Sequence, residues 1–157
     1  MGKIVVRSLG PVRGVWREAA EEYLVRVRGR LPIAWEEQAE VRAPPRAGPA
    51  EEARVREKEA QILLRDLPAG LRPVALDPLG RSLDSEGFAE LLQGWRSSGS
   101  PTYLLIGGHL GLHESVRARS ALLSLSPLTF SHQMVPAILF EQIYRAQTIL
   151  DGGPYHR

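Results

Sequence analysis

The run "TYLLIGG" (102–108) constrains the fold of this chain more than any other stretch. It is apolar from Tyr103 to Ile106 without polar alternation, and two glycines close it. A strand with one wet face alternates apolar and polar residues, whereas a strand covered on both faces does not. The run therefore predicts an inner strand of a parallel sheet flanked by helices on both faces.

The preceding sequence supplies partners for such a strand. "KIVVRSL" (3–9) is short, β-branched and followed by Gly10 and Pro11. "LPIAWEEQAEV" (31–41) alternates weakly, and "RPVALD" (72–77) ends at the turn signal "DPLG". Between these strands lie segments with helical spacing. Apolar residues at 15, 16, 19, 20, 23, 24 and 27 form one stripe. Residues 50–66 carry a second, through Ala53, Ala60, Leu63 and Leu64. Residues 84–97 carry a third, through Phe88, Leu91, Leu92 and Trp95. The order βαβαβαβ predicts an α/β domain with a mostly parallel sheet. After Gly108 the pattern predicts a short helix at 113–119, a short segment "LLSLSPLTF" (122–130) and a long helix near 134–149. The proline-rich loop 42–49 is a surface excursion, so residues 1–157 are expected to form one domain.

In open parallel sheets, ligands bind beyond the carboxyl ends of the strands. Three segments fall there: "LDPLG" (76–80), "IGGHLG" (106–111) and "SLSPLTFSH" (124–132). The expected cleft lies between them. Its glycines fit neither GxGxxG nor the phosphate-binding P-loop, but they allow a ligand to approach bare backbone. A tight strand-to-helix turn accounts for them equally well. Asp77 could bond a ribose hydroxyl, and the turn with Pro78 is the favoured reading.

Other chemistries find little support. With no cysteine, thiolate catalysis and disulfides are excluded. Four histidines show no HxxxH or HExxH spacing, so no metal site is expected. Ser126 and Ser131 lack a GxSxG elbow. No segment reaches the length of a membrane span, and the first residues lack the long apolar core of a signal peptide. A cytoplasmic protein is expected. Net charge is only +2, yet all basic side chains except Lys3 and Lys58 are arginines. Arginine suits phosphate recognition, although composition bias explains the same count. Arg7, Arg13, Arg17, Arg26, Arg28 and Arg30 are candidate phosphate contacts. Glu141 and Arg145 fall at i,i+4 on the last helix, as a surface ion pair or facing a cleft.

The segments "YLLIGGHLGL", "LSLSPLTFSHQM", "EQIYRAQTIL" and the terminal "PYHR", in this order and spacing, resemble the RlmH family of small SPOUT-class ribosomal RNA methyltransferases. The resemblance covers the whole chain and is densest from residue 102 onward. It implies an α/β fold with a C-terminal trefoil knot, a homodimer, and S-adenosylmethionine (SAM) as cofactor. It implies methylation at N3 of a pseudouridine in large-subunit (23S) ribosomal RNA, on the assembled ribosome and without metal. Carried over by position, it assigns the cofactor pocket to Leu76, Gly107, Gly108, Leu125, Ser126, Pro127, Leu128, Thr129 and Phe130. The catalytic set becomes Arg145, Tyr155, His156 and Arg157. Tyr155 would stack on a base, the His156 imidazole would handle the N3 proton, and Arg157 would hold phosphate. Rival readings are a related enzyme with another RNA target, a non-catalytic ribosome assembly factor, and a generic nucleotide-binding protein.

Overall fold

A computed structural model describes all residues from Met1 to Arg157. Five strands form one all-parallel sheet: β1 (Ile4–Leu9), β2 (Ile33–Gln38), β3 (Val74–Ser82), β4 (Thr102–Ile106) and β5 (Ala121–Ser124). Their spatial order is β2-β1-β4-β3-β5. The helices are α1 (Gly14–Arg28), α2 (Pro49–Leu64), α3 (Ser85–Ser97), α4 (Glu114–Arg119) and α5 (Val135–Leu150), followed by a 3₁₀ turn at Pro154–His156. The last strand returns to lie outside β3 rather than beside β4, an order consistent with the knotted connection expected above.

Alternation within each strand assigns the two faces. Ile4, Val6, Leu104 and Ile106 point to a core shared with Leu24, Leu92, Leu139, Phe140 and Ile143 of α1, α3 and α5. Leu9, Leu105 and Ala75 point the other way, to Ala60 and Leu63 of α2 and Val116 of α4. β4 is central, with Leu104, Leu105 and Ile106 all at most 3% exposed, so neither face permits a polar residue.

Three expectations need correction. On α2 the buried positions are Val55, Glu59, Ala60 and Leu63, whereas Ala53 is exposed. On α1 the stripe is buried only from Ala20 onward, and Val15 and Trp16 stand exposed. β3 does not end at Asp77. Leu76 and Arg81 both pair with Leu123, so residues 77–80 bulge out and the strand then resumes. The Asp77 carboxylate accepts from the Leu79 amide at 2.8 Å and is paired with Arg117, which makes it the turn residue its sequence suggested.

The bulge also creates the site. The β3–β4 ladder comprises only Val74↔Leu104 and Ala75↔Leu105. Beyond that point the two strands part, and a gap opens between Leu76 and Gly107.

Candidate functional site

A cavity of about 570 Å³ occupies this gap, within the usual volume of small-ligand pockets. Leu76, Asp77 and Pro78 form one wall, and residues 106–112 form a second. The segment after β5 closes it with Leu125, Ser126, Leu128, Thr129 and Phe130, then Ser131, His132 and Val135. Of the nine residues expected to hold a cofactor, the structure brings eight to this cavity. Pro127 is not among the walls. The three segments expected to flank the cleft, 76–80, 106–111 and 124–132, all line it, and only Leu112 and Val135 among its walls lie outside them; His109 and His132 stand 6.2 Å apart between ring centres.

Backbone and apolar surface dominate the walls, and their one carboxylate, Asp77, is already paired with Arg117. Gly107 and Gly108 present bare backbone where a side chain would collide: a Cβ on Gly107 would stand 2.8 Å from Leu112 Cδ2. Gly111 adopts a left-handed φ of +80° and donates to the Gly108 carbonyl at 3.1 Å, which closes the loop tightly. The Leu128 amide bonds Ser126 Oγ at 3.1 Å, an ST-type turn that leaves the Leu128 side chain 71% exposed at the rim. Gln133 ties this rim to the start of α1, accepting from the Arg13 amide and donating to the Pro11 carbonyl, both at 2.9 Å.

The four residues expected to be catalytic form a separate group, and none lines the cavity of its own chain. Gly152, at φ +70°, turns the chain off α5, and the 3₁₀ turn folds back along it. Tyr155 donates to Glu141 Oε1 at 3.1 Å. Its oxygen lies 3.1 Å from that of Tyr23, so Tyr23 supplies the proton of that bond. Glu141 Oε1 also accepts from Arg145 at 2.6 Å, and the guanidinium lies 4.8 Å over the Tyr155 ring. Burial, the Tyr23 bond and the Glu141 carboxylate together raise the Tyr155 hydroxyl well above its ordinary range. The bond to Glu141 likewise raises Arg145. His156 Nε2 lies 3.3 Å from Glu86 Oε1, while its Nδ1 is buried without a partner. The Arg157 side chain is exposed.

Of the six candidate phosphate contacts, Arg7 is buried, bonding Glu36 and the carbonyls of Leu63 and Arg65. Arg17, Arg26 and Arg30 pair with Glu37, Glu22 and Asp151. Only Arg13 and Arg28 carry no ion pair. Arginine on this surface mostly answers the chain's own carboxylates.

A parallel α/β sheet with a backbone-walled cavity at its strand ends defines a small-ligand-binding protein, and comparison with known proteins narrows the class. A family model described as "Predicted SPOUT methyltransferase" matches residues 3–156. The chain is 41% identical over 156 residues to a "Ribosomal RNA large subunit methyltransferase H" of Pelobacter propionicus, covering 98% of this chain and 99% of that protein. It is 36% identical over 158 residues to the protein of the same name from Halothermothrix orenii, covering 99% of each. It is 47% identical over 115 residues to that of Paramagnetospirillum magneticum, covering 72% of this chain and 73% of the other. The chain belongs to the SPOUT methyltransferase family.

Proposed function

We propose that this protein transfers a methyl group from SAM to N3 of a pseudouridine in large-subunit ribosomal RNA, acting as a cytoplasmic homodimer on the assembled ribosome. The observation that carries this reading is the cavity between β3 and β4, walled by two bare glycines and by the segment after β5. The relatives' name supports the RNA class of the substrate. A flat adenosine and an extended amino-acid chain suit apolar walls with free backbone groups, and the volume is adequate for both.

When bound, SAM supplies a methyl group already activated on a sulfonium. The chain's own residues have three tasks. Leu76, Leu125, Leu128 and Phe130 exclude water and hold the adenosine. Gly107 and Gly108 let the methionyl end lie against the strand end. The terminal turn would then position the base against the methyl group and take up the N3 proton. His156, whose Nε2 sits 3.3 Å from Glu86 Oε1, is the imidazole of the turn offered for that proton, and Arg145 with Glu141 holds Tyr155 beside it. The turn does not wall its own cavity, so a second copy supplies it. Val15 and Trp16 are 67% and 38% exposed on α1, beside the rim that Gln133 ties down. Exposed apolar residues next to an incomplete site suit a subunit interface.

The test is methyl transfer from labelled SAM to intact ribosomes lacking the modification, to isolated large subunits and to naked ribosomal RNA. Label in intact ribosomes, mapped to one pseudouridine, is expected. SAM binding without label in any of the three would redirect the search to another RNA. Neither label nor SAM binding would leave a ribosome-binding factor.

A further inference from the structure

Glu59 is a carboxylate without an evident reason to be where it is. It lies on the buried stripe of α2, one turn after Val55 and one before Leu63, and is only 4% exposed. Its Oε2 is fully covered and has no hydrogen-bond partner. Packing α2 against the sheet needs only an apolar side chain there, and a buried carboxylate without a donor is costly. Glu59 does not itself line the cavity but stands directly behind one of its walls: Oε1 is 2.8 Å from the point a Cβ on Gly108 would occupy.

The neighbouring strand repeats the arrangement. Glu40, just past the end of β2, holds its Oε2 3.1 Å from the Cβ position of Gly10 at the end of β1. β1 pairs with β4 up to Ser8↔Ile106, so two carboxylates lean on glycines at adjacent strand ends. They repel each other. Arg56 offsets this only in part, since it also reaches toward Glu52 at 4.0 Å. Burial first, and Glu40 second, push the Glu59 carboxyl up to about 7. Arg42 answers Glu40 at 3.7 Å, whereas no N–H group answers Glu59 Oε2.

We propose that Glu59, reached past the side-chain-free Gly108, binds the ammonium of the methionyl end of SAM, with Glu40 adding attraction from the adjacent strand end. This rests on the reading of the cavity as a SAM site. Within that ligand the ammonium is the only cationic group able to donate a hydrogen bond, because the sulfonium carries no proton. The proposal also accounts for Gly108: any side chain there would collide with the carboxylate and stand between it and the cavity.

Calorimetric binding of two nucleosides to the purified protein tests this. S-adenosylhomocysteine keeps the amino-acid end, and 5′-methylthioadenosine lacks it. Glu59→Gln should weaken S-adenosylhomocysteine tenfold or more and leave methylthioadenosine within about twofold, since a neutral amide cannot pair an ammonium. Equal weakening of both would make Glu59 a packing residue, and no weakening of either would remove it from the site. Both results overturn the proposal. Should the variant fail to fold, the unaltered protein decides: S-adenosylhomocysteine should outbind its analogue lacking the amino group at least tenfold, and equal affinities overturn the assignment. If the unaltered protein binds neither nucleoside, the SAM reading itself fails and the role of Glu59 falls with it.

Discussion

The cavity walls are mostly backbone and apolar surface, with Gly107, Gly108 and Gly111 carrying no side chain and Leu128 projecting freely at the rim. At the terminal turn, by contrast, almost every contact is made by a side chain: Tyr155 with Tyr23, Tyr144, Glu141 and Arg145, and His156 with Glu86. The first region recognises shape and tolerates little added volume. The second is a preassembled polar cluster whose worth depends on particular functional groups. A ligand of the same shape at every turnover suits the first, and a base that must be placed and deprotonated suits the second. The two regions should therefore fail differently when altered.

Removal of residues 154–157 should separate them most sharply. Loss of a positioned proton acceptor and its support typically costs 10²–10⁴ in rate, so turnover should fall by about 10³. SAM affinity should stay within about threefold, because none of these residues walls the cavity. Single-turnover methyl transfer and calorimetry on the same preparation check both. Normal turnover would show that the turn is an ordinary chain end.

Next in size is a structural effect at the bulge that opens the cavity. A Cβ on Gly80 would meet the backbone of Leu122 and Leu123 at 2.6 Å, and a backbone cannot swing aside. Gly80→Ala should cost about 3 kcal/mol of stability, read from the urea midpoint, through overpacking at the β3–β5 ladder. An unchanged midpoint would mean that the bulge yields, and with it the fixed separation of β3 from β4.

The sequence made much of this legible. The apolar run of β4 announced its double burial, and the loops at 76–80, 106–111 and 124–132 followed from the rule on parallel sheets. The fifth strand was not assigned, since four residues, Ala121 to Ser124, carry too few alternations to signal a period. The bulge was not legible either: "DPLG" reads as a strand end, and only pairing with β5 restores the strand beyond it. Glu59 offered one signal that went unused, a charge at i,i+4 spacing between Val55 and Leu63. The position of the turn came from resemblance alone, because a residue's distance from a pocket made by other segments leaves no mark on local pattern.

That unused signal has a consequence in pH. The folded Glu59 carboxyl is held up to about 7 against an ordinary value of 4.5, chiefly by burial, then by Glu40, with Arg56 opposing. Between those values the folded chain keeps a proton that the unfolded chain has released, so stability falls as pH rises through the window. Glu59→Gln carries no such proton. Relative to that variant, the unaltered protein should lose on the order of 2 kcal/mol between pH 4.5 and 7 in ligand-free buffer. Parallel stability curves for the two proteins would mean that Glu59 is solvated.

At the cavity itself, Gly107→Val should weaken SAM binding tenfold or more, roughly 1.4 kcal/mol. The obstacle to a Cβ there is the end of the Leu112 side chain rather than backbone, so stability should fall by less than at Gly80. Unchanged affinity would show that the ligand does not lie along this wall.

The smallest change tests how the terminal turn works. Tyr155→Phe keeps the ring at 4.9 Å from Tyr144 and beneath the Arg145 guanidinium, but removes the proton given to Glu141 and the oxygen that accepts from Tyr23. The loss should be about 1 kcal/mol, the usual net worth of such a bond. Arg145 keeps both of its own bonds to Glu141, so the platform survives. Turnover should fall severalfold, far less than on deletion of the turn, with KM for SAM unchanged. The environment also rules on the proton: burial, Tyr23 and Glu141 keep the Tyr155 hydroxyl protonated near neutral pH, so it cannot be the base. A loss as deep as that of the deletion would contradict this and give the hydroxyl a chemical role. A shallow loss leaves the proton to His156, the neighbouring imidazole, whose Nε2 sits 3.3 Å from Glu86 Oε1.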